Sequence, residues 1–193
     1  LVSRLSLAER VRAYGLAREL LLDAGYAQDC HLRFILPGRG GYRQQENVFH
    51  GQSLIGFGVS ARSYATDVHY RNAPIGRGIA AVHAYIEGLC HAELAANQAA
   101  IVSADERARR YLIYQLEHLD LEAFGTLFGA EARERFSPQL QELVGLDLAS
   151  RDGNLFRLTA KGLAFRDLIA ASFFSDAVRA SEQAYYAQSP HIG

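Results

Sequence analysis

The residues with the most chemical promise lie around Leu54-Ile-Gly-Phe-Gly-Val-Ser-Ala-Arg-Ser-Tyr64, where Gly56 and Gly58 alternate and small residues follow at 60, 61 and 63. Missing Cβ atoms let something approach the backbone closely. That something is either a packed helix over a tight strand-to-loop turn or a bound ligand. Backbone N–H groups over Gly56, Phe57, Gly58, Val59 and Ser60 could receive a carboxylate, and the Arg62 guanidinium could pair with it. The spacing is not that of a dinucleotide fingerprint, because the third glycine position is Ala61 and no helix opens directly afterwards. Ser60 lacks the glycines of a nucleophile elbow. His50 and His69 flank the turn and could bond an anion, or be ordinary loop histidines. The words Cys30-His31 and Cys90-His91 lack metal-ligand spacing and read as buried cysteines beside partly exposed histidines.

Upstream of the turn lies Gly41-Tyr-Arg-Gln-Gln-Glu-Asn47, and downstream lies His69-Tyr-Arg-Asn72. This order, with Gly56, Gly58, Ala61 and Ser63, resembles the region after the catalytic barrel in the oxygen-independent coproporphyrinogen III oxidase-like branch of radical S-adenosylmethionine (SAM) enzymes. The resemblance covers the whole chain as the C-terminal half of such a protein. It implies a fold of α/β followed by mainly α: the C-terminal edge of a partial (β/α) barrel over residues 1–100, then a helical winged-helix-like domain over 101–193. It also implies SAM as cofactor, and a [4Fe–4S] cluster on an absent N-terminal radical SAM core of the same polypeptide. Gln44, Gly56, Phe57, Gly58, Val59, Ser60 and Arg62 become candidates for a second SAM or a small-molecule substrate. Without the resemblance, Gln44 belongs to a solvated loop.

Arg62 stands where the porphyrinogen oxidases look aliphatic, and a guanidinium there favours an anionic ligand. The implied activity is methyl or methylene transfer to an unactivated carbon. The alternatives are a porphyrinogen oxidase or haem-trafficking relative, and a non-enzymatic binding module. With only two cysteines in 193 residues, this chain alone cannot hold the cluster, so it is expected to act only as part of a longer enzyme.

Composition sets the outer bounds. Hydrophobic residues make up 49% and charged residues 21%, which suits a packed globular chain. The net charge of −1 gives no electrostatic footprint for nucleic acid. No apolar run approaches the ~20 residues that cross a bilayer. Sparse cysteine suggests a reducing compartment, with the cytoplasm as the default. The chain begins at Leu1 and contains no Met, as a processed chain or fragment would.

The positioning elements follow from local signals. Ser6 and Glu9 form a capping box before a helix with Leu7, Val11, Tyr14, Ala17 and Leu21 on one face, stopped at Gly25. Residues 28–36 alternate as a strand, and Leu54–Phe57 reads as the end of a buried strand. A helix is expected over 79–89 with Ile79, Val82, Ile86 and Leu89 on one face. A second capping box, Ser103 and Glu106, opens another through Leu119. Helices over 121–128 and 131–145 follow, with Pro138 starting a new turn. Asp152-Gly153 marks a hairpin, and Thr159 caps a last helix that restarts near Ser175. The alternating charges Glu131, Arg133, Glu134 and Arg135 leave the would-be recognition helix without a basic face.

Overall fold

A computed structural model describes residues 5–39, 47–72, 78–91 and 96–188. By its contacts the chain divides into two units, Leu1–Tyr42 with Leu112–Gly193, and Arg43–Tyr111.

In the first unit, helix α1 (Leu7–Asp23) starts at the expected capping box, with Glu9 N–H donating to Ser6 Oγ and Ser6 N–H to Glu9 Oε2. The predicted single strand over 28–36 is instead a short antiparallel hairpin, β1 (Ala27–Cys30) and β2 (Arg33–Ile35). His31 and Leu32 make its turn. An Asp29–Arg33 ion pair spans that turn and holds it closed.

The unit's core lies in its helical part. This comprises β6 (Leu119–Asp120), α4 (Leu121–Phe128), α5 (Ala130–Gly145), β7 (Ala149–Asp152), β8 (Leu155–Leu158), α6 (Ala160–Ala164), α7 (Arg166–Ser172) and α8 (Asp176–Gln188). Strands pair antiparallel in the order β6-β8-β7. Phe124, Phe136, Phe156 and Phe173 are essentially inaccessible, and Leu112, Leu116 and Leu119 are equally buried. Edge-to-face contacts link Phe124 to Phe136 and Phe136 to Phe173. Pro138 lies inside α5 rather than starting a turn. The β7–β8 turn residues are Gly153, at φ +57°, and Asn154, one position beyond the predicted pair.

The second unit holds β3 (Arg62–Tyr64), β4 (Val68–Asn72), α2 (Ile79–Cys90), β5 (Ala96–Ile101) and the start of α3 (Ala104–Gln115). Its sheet is antiparallel, ordered β3-β4-β5.

The expected edge of a (β/α) barrel is therefore corrected: every described strand pair is antiparallel, and the sheets are small and open. The physical reason is connection length. Only three residues separate β3 from β4, which permits a hairpin but not the crossover that parallel strands need. Leu54–Phe57 is likewise no buried strand. Leu54 makes an isolated bridge to Tyr64, while Ile55 and Phe57 are 63% and 87% exposed. Helix α2 forms where expected, yet Ile79, Val82, Ile86 and Leu89 lie on its exposed face. Cys90 is exposed rather than buried, and Cys30 only half-buried.

Candidate functional site

The glycine turn is shaped by buried polar side chains. In the second unit Ser63 is 1% and Asn72 5% exposed. The Asn72 amide donates to Gly56 O and Gly58 O, each at 3.0 Å. Gly56 N–H donates to Ser63 Oγ at 3.0 Å, and Gly58 N–H to the Tyr85 hydroxyl at 3.2 Å. Two 2.8 Å bonds between Leu54 and Tyr64 fasten the entry, and Ala61 N–H closes onto Gly58 O. The segment is irregular, and these side chains satisfy backbone groups that no sheet partner reaches.

The two glycines serve different purposes. A Cβ on Gly56 would stand 2.5 Å from Arg62 O, so Gly56 admits the chain's own strand. A Cβ on Gly58 would meet nothing within 4 Å, and that residue is required by its φ of +108°. Ser60 is also left-handed, at φ +61°. Arg71 Nε donates to its carbonyl at 3.2 Å, which braces this unfavourable conformation.

Among the residues singled out from the sequence, Gly56, Phe57, Gly58, Val59, Ser60 and Arg62 lie along one stretch of chain, the candidate rim. Gln44 lies outside the described residues. The amides of Gly56 and Gly58 are committed to Ser63 and Tyr85, so the parts of the rim facing outward are Phe57, the Gly58 Cα side and the exposed Arg62.

Sequence reasoning misses the strap that the Asn72 and Tyr85 side chains make across the turn. In the sequence Asn72 only ends His69-Tyr-Arg-Asn72, and Tyr85 only falls within the helix expected over 79–89. Also missed was the face that Arg62 belongs to. Strand alternation and the β3–β4 register put Arg62, Tyr64, His69 and Arg71 on one side of the sheet. Arg110 of α3 lies over the Tyr64 ring, 4.8 Å from its centroid, and its Nη1 is 2.7 Å from His69 Nε2. The edge of His69 meets Tyr64 at 4.9 Å between centroids. Burial, reinforced by the Arg110 charge, holds the His69 pKa below its usual value. A neutral ring then accepts from Arg110 through Nε2.

The first unit has its own polar cluster. His31 Nδ1 lies 3.1 Å from Glu117 Oε1 and its Nε2 3.6 Å from Asp167 Oδ1. Arg166 stands 3.6 Å from Glu117 and donates to Ile113 O at 2.8 Å. The Tyr14 hydroxyl donates to His31 O, and Gln28 bridges Tyr14 and Arg18. This network pins the β1–β2 hairpin and α1 to the helical core. Among the described residues no group of three or more His, Cys, Asp and Glu could hold a metal ion. Two cysteines in the chain do not fit a [4Fe–4S] cluster, which takes three or four thiolates. No described helix is long and apolar enough to cross a membrane.

Comparison with known proteins gives two matches. Residues 102–165 match the family model described as the HemN C-terminal domain. No curated protein matches the chain. A structure of coproporphyrinogen III oxidase (HemN) from Escherichia coli, described as a radical SAM enzyme, superimposes with a TM-score of 0.66 at 20% identity. The alignment covers 88% of this chain and 42% of that one, so this chain spans less than half of that enzyme's length. The resemblance read from the glycine turn thus recurs independently in the helical region and in the fold.

Proposed function

We propose that this chain is the C-terminal part of a radical SAM enzyme of the coproporphyrinogen oxidase-like kind, working on a porphyrinogen or haem-related tetrapyrrole. The supporting observation is the HemN C-terminal domain match over 102–165, accompanied by the fold likeness across 88% of the chain. On this reading residues 1–100 carry the substrate-side pocket and 101–193 form a helical cap. A cluster-bearing core in the same polypeptide, in the cytoplasm, completes the enzyme. SAM, when held by such a core, supplies a 5′-deoxyadenosyl radical. The contribution of this chain is to bind and orient. Phe57 offers an exposed apolar ring, the Gly58 side admits close approach, and Arg62 carries a charge for a carboxylate.

A second reading, methyl or methylene transfer using a second SAM at the same rim, is favoured by one observation. Arg62 is exposed beside the turn, where it could receive the carboxylate of an amino-acid ligand.

The first test is intact mass and iron content of the anaerobically purified native protein, followed by assay for 5′-deoxyadenosine. The expected result is a polypeptide well above 21.3 kDa that carries ~4 Fe and cleaves SAM. A native mass of 21.3 kDa without iron would leave a binding module instead. Porphyrinogen turnover or a Soret band on adding haem would separate the tetrapyrrole reading from methyl transfer.

A further inference from the structure

The β3–β4 register sets Arg62 directly opposite Arg71. Asn72 N–H donates to Ala61 O at 2.9 Å, which makes Arg62 and Arg71 a non-hydrogen-bonded pair, the kind whose side chains stand closest. Like charges in that position destabilise a sheet. Among the described residues, neither guanidinium forms an ion pair with a carboxylate. Arg71 is further drawn towards the turn by its bond to Ser60 O, so its charge sits at the candidate rim. Arg110 adds a third guanidinium farther along the same face, over Tyr64. A carboxylate between Arg62 and Arg71 would be the ordinary way to relieve such a pair, and among the described residues none is paired with either of them.

We propose that Arg62 and Arg71 together form a two-guanidinium clamp for a carboxylate of the bound ligand. The clamp deepens the reading above, and rests on it for the ligand's class. A propionate of a tetrapyrrole and the α-carboxylate of a SAM-like molecule share the required chemistry. Each would accept charge-assisted hydrogen bonds from both arginines. Arg71 has a double duty, since its Nε holds Ser60 while its remaining N–H groups face the ligand. Arg62 has no such structural bond, and its role is ligand contact alone.

The experiment titrates the full chain with three probes: mesoporphyrin IX, its dimethyl ester, and S-adenosylhomocysteine. Fluorescence and calorimetry read affinity for the wild type, Arg62→Met and Arg71→Met, and circular dichroism checks folding. At least one acid probe is expected to bind, with about a tenfold or greater loss in each variant. If the porphyrin is the ligand, the diester should bind the wild type as weakly as the acid binds the variants. Equal affinity for acid and ester, without adenosylhomocysteine binding, overturns the clamp and leaves the tetrapyrrole reading standing. Arginine-dependent adenosylhomocysteine binding without porphyrin binding upholds the clamp and overturns the tetrapyrrole reading. Binding of no probe overturns the clamp. Should Arg71→Met fail to fold, Arg62→Met still decides, because it leaves the Arg71–Ser60 bond in place; wild-type affinity in that variant sinks the proposal.

Discussion

Asn72 is the point at which the glycine turn can be opened with least collateral damage. Its side-chain amide makes two 3.0 Å bonds, to Gly56 O and Gly58 O, from a position 5% exposed. Asn72→Ala deletes both. At about 0.5–1.5 kcal/mol net per bond, the turn should lose about 1–3 kcal/mol. Asn72→Asp is the sharper variant, because it keeps shape and volume while replacing the donor by an acceptor. Two carbonyl oxygens would then face a buried carboxylate with no donor between them, a costlier arrangement than an empty site. The order of stability should be Asn, then Ala, then Asp. Amide hydrogen exchange read by mass spectrometry over residues 54–64 measures it locally, without requiring the two units to unfold together. A loss of about 1–3 kcal/mol corresponds to exchange faster by roughly 5- to 150-fold for Asn72→Ala. Peptides over 149–158, in the other unit, should exchange as in the wild type. Wild-type protection in the Asp variant, or an Asp variant more protected than the Ala one, would refute the strap.

Two further outcomes follow from other parts of the chain. Gly162 donates its N–H to the Thr159 hydroxyl at 3.1 Å, and a Cβ there would overlap the Leu148 carbonyl oxygen. Because that obstacle is backbone, Gly162→Ala should cost at least the ~1–3 kcal/mol typical of overpacking, read as a lower urea midpoint. An unchanged midpoint would contradict the packing at that corner. His69 has a folded pKa depressed below 6.5, chiefly by burial and then by Arg110. The unfolded state therefore takes up the proton first as pH falls. The stability His69 contributes is fully present above 6.5 and is lost on acidification through its folded pKa. His69→Asn should flatten the stability slope between pH 7 and 5, with Arg62, Arg71 and Arg110 left on the same face in both proteins. An equally steep slope in the variant would assign it to other groups.

How far the residues disclose these features depends on whether the signal is local. Capping boxes are closed within one turn: Ser6–Glu9 forms both of its expected bonds, and at Ser103–Glu106 the Glu106 N–H donates to the Ser103 hydroxyl. The amphipathic stretch after Ser103 likewise becomes a helix with Ala108 and Leu112 buried, but it ends at Gln115 rather than running to Leu119, which is in β6. Errors arise where a short apolar alternation had to be given a partner. Residues 28–36 satisfy the period of one strand, but the Asp29–Arg33 pair and the turn between them make two. Helix α2 shows the same limit from the other side: its period is helical, but the period does not say which face is covered. The barrel edge failed for a different reason. It rests on the resemblance alone, whereas the three residues between β3 and β4 suffice only for a hairpin. The candidate rim was legible as a segment through its glycines, yet the groups that shape it, Asn72, Tyr85 and Arg71, arrive from strands and a helix later in the chain. Only the register reveals that Arg71 stands opposite Arg62.

The two glycines of the turn can be told apart experimentally, which decides between a packing role and a ligand role. Gly56→Ala places a methyl 2.5 Å from Arg62 O and 3.1 Å from the Ala61 Cβ, so β3 itself must move. The expected cost is about 1–3 kcal/mol of stability, and any loss of ligand affinity should track the unfolded fraction. Gly58→Ala meets no atom within 4 Å, and its penalty comes from φ +108°. An L-residue there should pull the turn towards negative φ, at about 1–2 kcal/mol, and displace the rim that Phe57 and Ser60 form. Affinity should then fall further than stability does. Equilibrium unfolding and probe titration on both variants give the comparison directly. A Gly56→Ala protein as stable as wild type but unable to bind would place a ligand, not the strand, against Gly56. A Gly58→Ala protein whose affinity falls only with its stability would remove the outward side of the turn from the site.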